Sequence, residues 1–349
     1  MSFINKSLIT IVNFMDLTKR NNDLSRYKIL KELGKNSSIG TITLLAENIN
    51  NKEKVVIKQF SFNSGADWSG YKQVEREISV LKNLDSNIGL PHYLDSFETD
   101  TGFALVYRYI KGRSLDSVIE NLDNQPLSLS QIFDLIMQLL EKLVYLQSLE
   151  VPIIHRDIKP ENIILAEDGK AYLIDFGFSN LFGKKELSAS SVVAGTIGFI
   201  PPEQFLHRQV SFSTDIYSLG VTLFCLLAAT QTSEVGKLID SQYYFSVDSV
   251  KDKISKEWIN WLEKVTHSNP TYRFKDATEA MSSFKHLKIH PETDFDLENY
   301  IMAVSTIFLA TIVLAMCSHQ IFFIITDTEI LPIFSSDTNT DRSTERYSW

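Results

Sequence analysis

The run Ile154-His155-Arg156-Asp157-Ile158-Lys159-Pro160-Glu161-Asn162 constrains this chain more than any other stretch. Within it a carboxylate, Asp157, stands two residues before an ammonium, Lys159, and five before an amide, Asn162. A loop so equipped can orient a hydroxyl nucleophile, neutralise a transferring phosphoryl group and hold a metal ion. Those are the tasks of phosphoryl transfer, where catalysis is mostly positioning and electrostatics. The flanks limit the fold as well. Before the loop, Ile132, Leu135, Ile136, Leu139, Leu140 and Leu143 recur at helical spacing, so a long amphipathic helix is expected over 128–149. After it, residues 162–165, a turn at Glu167-Asp168-Gly169 and residues 171–174 read as a hairpin that delivers Asp175-Phe176-Gly177. A strand-terminal Asp175 before a glycine hinge is suited to hold Mg²⁺ against phosphate oxygens.

The N-terminal third reads as strands. Residues 27–33 lead into Gly34, and residues 40–46 lead away from Gly40, so two strands meet at a glycine-bearing turn. Val55-Val56-Ile57-Lys58 reads as a buried strand ending in a lysine. An unpaired buried ammonium is costly, so Lys58 needs a partner. A helix expected over 74–84 carries Glu75 and Glu77, and Glu77 is preferred because Leu81 follows one turn later on the same face. Phe103-Ala104-Leu105-Val106-Tyr107 is another buried strand, and Ser114 caps a helix beginning at Leu115.

Taken in order, these motifs resemble the protein kinases, of the type that phosphorylates serine and threonine. The resemblance covers 27–287 and implies an α+β bilobal fold: a small β-rich N-lobe over 27–110 and a larger helical C-lobe over 111–287. It implies ATP and Mg²⁺ as cofactors and a protein bearing Ser or Thr as substrate. Asp157 would orient the substrate hydroxyl and accept its proton, with Lys159 stabilising the transferring phosphate. Asn162 and Asp175 would hold Mg²⁺, and Lys58, fixed by Glu77, would position the α- and β-phosphates. Leu33, Gly34, Gly40 and Ile42 would cover the nucleotide. The glycine loop departs from the family, because Asn36 or Ser37 stands where a second glycine belongs and the interval is one residue longer. Residues 108–112 resemble the hinge, with Tyr109 meeting adenine through its backbone and Tyr107 at the back of the pocket.

Residues 175–203 resemble an activation segment, ending Gly195-Thr196-Ile197-Gly198-Phe199-Ile200-Pro201-Pro202-Glu203, with Pro201 where the family usually has alanine. Ser188, Ser190 and Ser191 lie in its middle, and Arg156 is placed to pair with a phosphoserine there; an unmodified loop is the alternative. The family pattern implies that Asp215 bonds the catalytic-loop backbone and that Arg273 pairs with Glu203. Lys159 and Thr196 follow the pattern for Ser/Thr hydroxyls, and Pro-Pro-Glu-Gln looks bacterial, of a cyanobacterial kind. Two rivals come from other classes. A nucleotide-binding pseudokinase scaffold would suit the irregular glycine loop. A small-molecule phosphotransferase of similar fold would lack the activation segment and the Glu–Arg pair.

The net charge of −9 argues against a nucleic-acid partner, which needs clustered Lys and Arg. The two cysteines, Cys225 and Cys317, lie in apolar stretches and read as small hydrophobes of a reducing compartment. Residues 1–26 form an N-terminal extension whose apolar run is interrupted by Asn13 and followed by no cleavage site, and Met15 is an alternative start. No Asp, Glu, Lys or Arg occurs between Glu298 and Asp327, so 300–325 is expected to be one transmembrane helix after a linker over 288–299. A docked hydrophobic helix is the alternative. Because ATP is cytoplasmic, the kinase domain would face the cytoplasm from the cell membrane. The tail over 326–349 is too short for a sensor domain. Self-association for trans-autophosphorylation completes the expected partners.

Overall fold

Strands rich in β-branched and aromatic residues build the N-terminal half. In the computed structural model the described residues are 23–36, 40–61, 68–82, 84, 88–121, 127–181, 198–206, 210–240, 244–288 and 305–306. The chain divides into two units, 1–291 and 292–349, and the elements below belong to the first. Strands β1 (Tyr27–Asn36), β2 (Thr41–Asn48), β3 (Lys54–Ser61), β4 (Tyr93–Thr99) and β5 (Gly102–Arg108) form one antiparallel sheet in the order β1-β2-β3-β5-β4. Successive side chains point to opposite faces. Val55, Ile57, Ala104 and Val106 therefore join Tyr27, Ala46 and Phe97 on one face, while Phe60, Phe103 and Leu105 meet Val74 and Ile78 of helix α1 (Trp68–Leu81) on the other. Lys58, one residue beyond Ile57, points to the α1 side. Helix α1 starts and ends earlier than the expected 74–84. The sequence after Leu81 is rich in Asn, Asp and Ser, which favour turns over a continuing helix.

The C-terminal half is mainly helical. After β6 (Gly112–Ser114), helix α2 (Leu115–Glu120) is capped by Ser114, whose Oγ accepts from Ser117 N at 3.2 Å. The expected long helix is α3 (Leu129–Ser148). Ser128 and Gln131 close a capping box at its start, with bonds of 3.2 and 2.8 Å. Strand β7 (Ile153–Ile154) pairs with β10 (Asn180–Leu181), and between them the hairpin β8 (Ile163–Ala166) and β9 (Ala171–Leu173) joins β6 in a second sheet. A short helix α4 (Pro202–Phe205) precedes α5 (Phe212–Ala228), which is buried on nearly every side, mostly apolar but with a few buried polar residues at its start that bond to neighbouring loops. Gly220 lets it approach α6 (Lys256–Val265), because a Cβ there would run into Val265 and Thr266. Helix α7 (Ala277–Phe284) brings Phe284 against Phe133 and Trp261, with ring centroids 5.0 and 4.7 Å apart. Cys225 is buried in α5, its thiol pushed up to about 12 by burial, in keeping with a small hydrophobe.

Among the described residues no single helix is long and apolar enough to cross a membrane. The expected span over 300–325 lies outside them apart from Ser305 and Thr306, which are helical. Residues 1–22, the tail, Cys317, Ser188, Ser190, Ser191 and Thr196 also lie outside the described residues.

A lysine sits in the core of the helical half. Lys142 on α3 is 3% exposed; its Nζ donates to Gln138 O at 3.0 Å, and its stem lies against Gly89. Among the described residues no carboxylate is in ion-pair range of it, and burial pushes its pKa down to about 8. The unfolded chain keeps the ordinary lysine value of about 10.4, so between pH 8 and 10 it binds more protons than the folded chain and stability rises with pH. Lys142→Met should therefore stabilise the protein at pH 7 by roughly 1–3 kcal/mol, with the gain shrinking toward pH 10. Denaturant melts of both proteins across that range check it.

Candidate active site

The loop between β7 and β8 is held from below by one carboxylate. Asp215 of α5, 1% exposed, accepts His155 N at 2.7 Å and Arg156 N at 2.8 Å. These bonds hold Arg156 at φ +69°, a left-handed conformation that side-chain-bearing residues avoid without support. His155 is fully buried and edge-on to Phe176, with centroids 4.6 Å apart. Its Nδ1 accepts from Asp157 N at 3.3 Å, so its Nε2 is the donor to Ile174 O at 3.1 Å. That pattern fits a neutral ring, and burial lowers its pKa accordingly.

Asp157 is 6% exposed. Its Oδ2 accepts the Asn162 amide at 2.7 Å and lies 3.4 Å from Lys159 Nζ. Asn162 Nδ2 also reaches Asp157 O at 2.8 Å, which fixes the amide with its oxygen turned away. Burial raises the Asp157 carboxyl, while Lys159 and Asn162 oppose the rise. Ile174 N donates to Asn162 O at 2.9 Å, so the hairpin and the loop are one unit.

Asp175 follows at φ +65°, its Oδ1 accepting Gly177 N at 3.2 Å and Lys58 Nζ at 2.7 Å. Lys58 also donates to both oxygens of Glu77, at 3.2 and 3.1 Å, which realises the expected pair. Burial alone would lower the Lys58 pKa, but the carboxylates of Asp175 and Glu77 outweigh it and hold the ammonium above its ordinary value. Burial would likewise raise Asp175, but Lys58 outweighs it and holds that carboxyl low. Glu77 is raised, burial outweighing Lys58. The sequence pattern contains no signal for two further features: Tyr107 Oη donates to Glu77 Oε1 at 2.7 Å, and Lys58 bridges on to Asp175.

The roof and hinge differ in detail from expectation. β1 continues through Asn36, so Gly34 lies inside the strand opposite Thr43, beside a bulge, and not in the turn. Pairing with β2 outweighs glycine's weak strand preference. Gly40 is at the turn, at φ +62°, where an added Cβ would sit 2.6 Å from Ser61 O. Leu33 is exposed and Ile42, opposite Lys35, is half-buried. At the hinge, Tyr109 N donates to Lys54 O at 3.3 Å, so a nucleotide contact through that N–H is not open.

The residues fit a hard divalent cation. Asp175 Oδ2 and the Asn162 amide oxygen are oxygen donors left over once Lys58 and Asp157 are served. Mg²⁺ takes one or two such ligands together with waters and phosphate oxygens. Below the cleft, Arg273 and Glu203 form a bidentate pair at 2.7 and 2.9 Å, with the Arg273 side chain fully buried. Arg273 also donates to His267 O, Ser268 O and Ser213 O, and stacks 4.7 Å from the Tyr217 centroid. Ser218 Oγ, donating to Phe199 O at 2.8 Å, ties the end of the activation segment to α5.

A bilobal fold whose cleft joins a strand lysine, a helix glutamate, a loop Asp–Lys–Asn set and a hairpin aspartate is that of a protein kinase. The protein kinase domain family matches residues 27–286, and the chain belongs to it. It is similar to Serine/threonine-protein kinase D of Synechocystis sp., 35% identical over 82% of this chain and 57% of that protein. It is also similar to Serine/threonine-protein kinase PknA of Nostoc sp., 30% identical over 75% of this chain and 47% of the relative. Serine/threonine-protein kinase cds1 of Schizosaccharomyces pombe is 28% identical over 72% and 57% of the two chains. The chain thus spans about half the length of these relatives.

Removing one member of the Arg273–Glu203 pair strands the other as a buried charge. Arg273→Ala should cost about 3–5 kcal/mol. Chemical denaturation would show it as a lower midpoint.

Proposed function

We propose that the chain is a Mg²⁺-dependent serine/threonine protein kinase that moves the γ-phosphate of ATP to protein hydroxyls. The observation that carries this reading is the pairing of Asp157 with Lys159 and Asn162 in the same cleft where Lys58 bridges Glu77 and Asp175. The hairpin joins the two clusters: Ile174 N donates to Asn162 O at 2.9 Å, and the next residue, Asp175, accepts from Lys58 at 2.7 Å. Asp157 orients the substrate hydroxyl and takes its proton; Lys159, beside it, faces the transferring phosphoryl group. Lys58 is held charged and aimed by its two carboxylates, ready for phosphate oxygens. Asn162 and Asp175 supply the oxygen ligands for Mg²⁺, which when bound neutralises charge on the phosphates.

The finer parts of the reading come from sequence. Residues 300–325 anchor the protein in the cell membrane as a single span, with the kinase domain on the cytoplasmic side where ATP is found, in the service of signalling. Phosphoserine at Ser188, Ser190 or Ser191 pairs with Arg156, and the phosphate comes from a second copy of the chain. Thr196 follows the pattern for Ser/Thr substrates, and Leu33, Gly34, Gly40, Ile42 and the Tyr109 carbonyl flank the nucleotide.

The full chain, given labelled ATP and Mg²⁺, should phosphorylate itself and a generic basic protein on serine and threonine. Asp157→Asn should lower that rate by about 100- to 10,000-fold. Nucleotide that raises the melting temperature without any transfer would favour the scaffold reading. Because burial raises Asp157, kcat should fall on the acid side, as that carboxyl takes up a proton. Intact mass after ATP treatment should show added phosphate that Ser→Ala changes at 188, 190 and 191 remove. Recovery in the membrane fraction after a carbonate wash, lost on deletion of 300–325, checks the anchor.

A further inference from the structure

The phenol of Tyr107 has no part in the transfer scheme above, yet it is wired into it. On β5 the side chains of Phe103, Leu105 and Tyr107 share the face that meets α1, where Phe60, Val74 and Ile78 pack around them. Tyr107 stands opposite Val56 of β3 and Tyr93 of β4, so its ring is held on both sides. From there its Oη donates to Glu77 Oε1 at 2.7 Å.

Glu77 is 1% exposed and needs donors for both oxygens. Lys58 reaches them at 3.2 and 3.1 Å, but the same ammonium makes a shorter contact of 2.7 Å to Asp175. One cation is therefore shared, and the carboxylate from the hairpin holds it more closely than the one from α1. The phenol is the donor that Glu77 does not share. We propose that Tyr107 is a positioning residue: its hydroxyl fixes the Glu77 carboxylate, which in turn aims Lys58 at the phosphates. The inference rests on the kinase reading of this cleft.

The charged and titratable groups around Glu77 are Lys58 from β3, Tyr107 from β5 with Tyr93 behind it, and Asp175 from the hairpin. Burial and the neighbouring carboxylate raise the phenol well above its ordinary value, so it stays a donor at every working pH. Burial raises Glu77 as well, and the phenol's bond opposes that rise. Losing the bond therefore lets Glu77 take up a proton at higher pH, and a neutral Glu77 leaves Lys58 with one carboxylate in place of two.

The test compares the full chain with Tyr107→Phe, which keeps the ring and its packing, with Glu77→Gln, and with the double variant. Two readouts are taken across pH: kcat and KM for ATP, and the rate at which an amine-reactive ester acylates Lys58, followed by mass spectrometry of its peptide. Tyr107→Phe should lower kcat/KM for ATP by about ten- to a hundredfold, the scale of one hydrogen bond to a charged group. Lys58 should also acylate faster at a given pH. In the Glu77→Gln background Tyr107→Phe should change neither readout. Parent-like rates and acylation in Tyr107→Phe would overturn the proposal, as would an equal loss in the Glu77→Gln background. If the parent itself transfers no phosphate, the kinase reading fails, while Lys58 acylation still decides on Tyr107. Faster acylation in the Phe variant supports the positioning role, and an equal rate overturns it.

Discussion

One ammonium shared between two carboxylates joins the halves of this molecule's cleft. Lys58 belongs to the sheet, Glu77 to the helix packed on it, and Asp175 to the hairpin of the helical half. A buried charge without partners costs several kcal/mol, so each of the three elements is tied to the positions of the other two. The net charge of the trio, two carboxylates against one lysine, is negative. That imbalance suits a site that is completed by a divalent cation, and it leaves Glu77 dependent on an uncharged donor.

Much of this was legible in the sequence, for a physical reason. Chemistry-bearing side chains at fixed short spacings, as in Asp157-Lys159-Asn162, can be read because a loop of that length keeps them together whatever surrounds it. The Lys58–Glu77 pair was legible because a lysine ending an apolar strand demands a partner, and helical spacing narrows the choice. The Asp215 and Arg273 contacts needed the family pattern, since they join residues about 60 and 70 positions apart. What stayed hidden follows from packing. Nothing in Phe103–Tyr107 says that the last hydroxyl points at Glu77; that depends on the register of β3 against β5 and on where α1 docks. Helix α1 ends before the expected Leu84 because the Asn, Asp and Ser that follow Leu81 favour turns. Gly34 looked like a turn residue because glycine favours turns, but the β1–β2 ladder runs past it through two bulges.

The catalytic loop owes its shape to α5 rather than to its own sequence. Arg156 and Asp175 both hold left-handed backbone, Arg156 where the Asp215 carboxylate takes its N–H and Asp175 where the Lys58 ammonium holds its side chain. Local strain of this kind costs of order 1–3 kcal/mol per residue and persists only where surrounding contacts over-determine it. Here those contacts come from Asp215 of the buried helix α5 and from Lys58 of β3.

His155 carries a consequence of its own. Both ring nitrogens are spoken for, one receiving the Asp157 amide and the other giving to the Ile174 carbonyl. A second proton has nowhere to sit except in place of the Asp157 bond. Its folded-state pKa lies below the ordinary histidine value, so its contribution is complete above that value and drains away as pH falls beneath it. Acid therefore weighs on the joint between catalytic loop and hairpin, because a doubly protonated ring must give up the bond it accepts from Asp157 N.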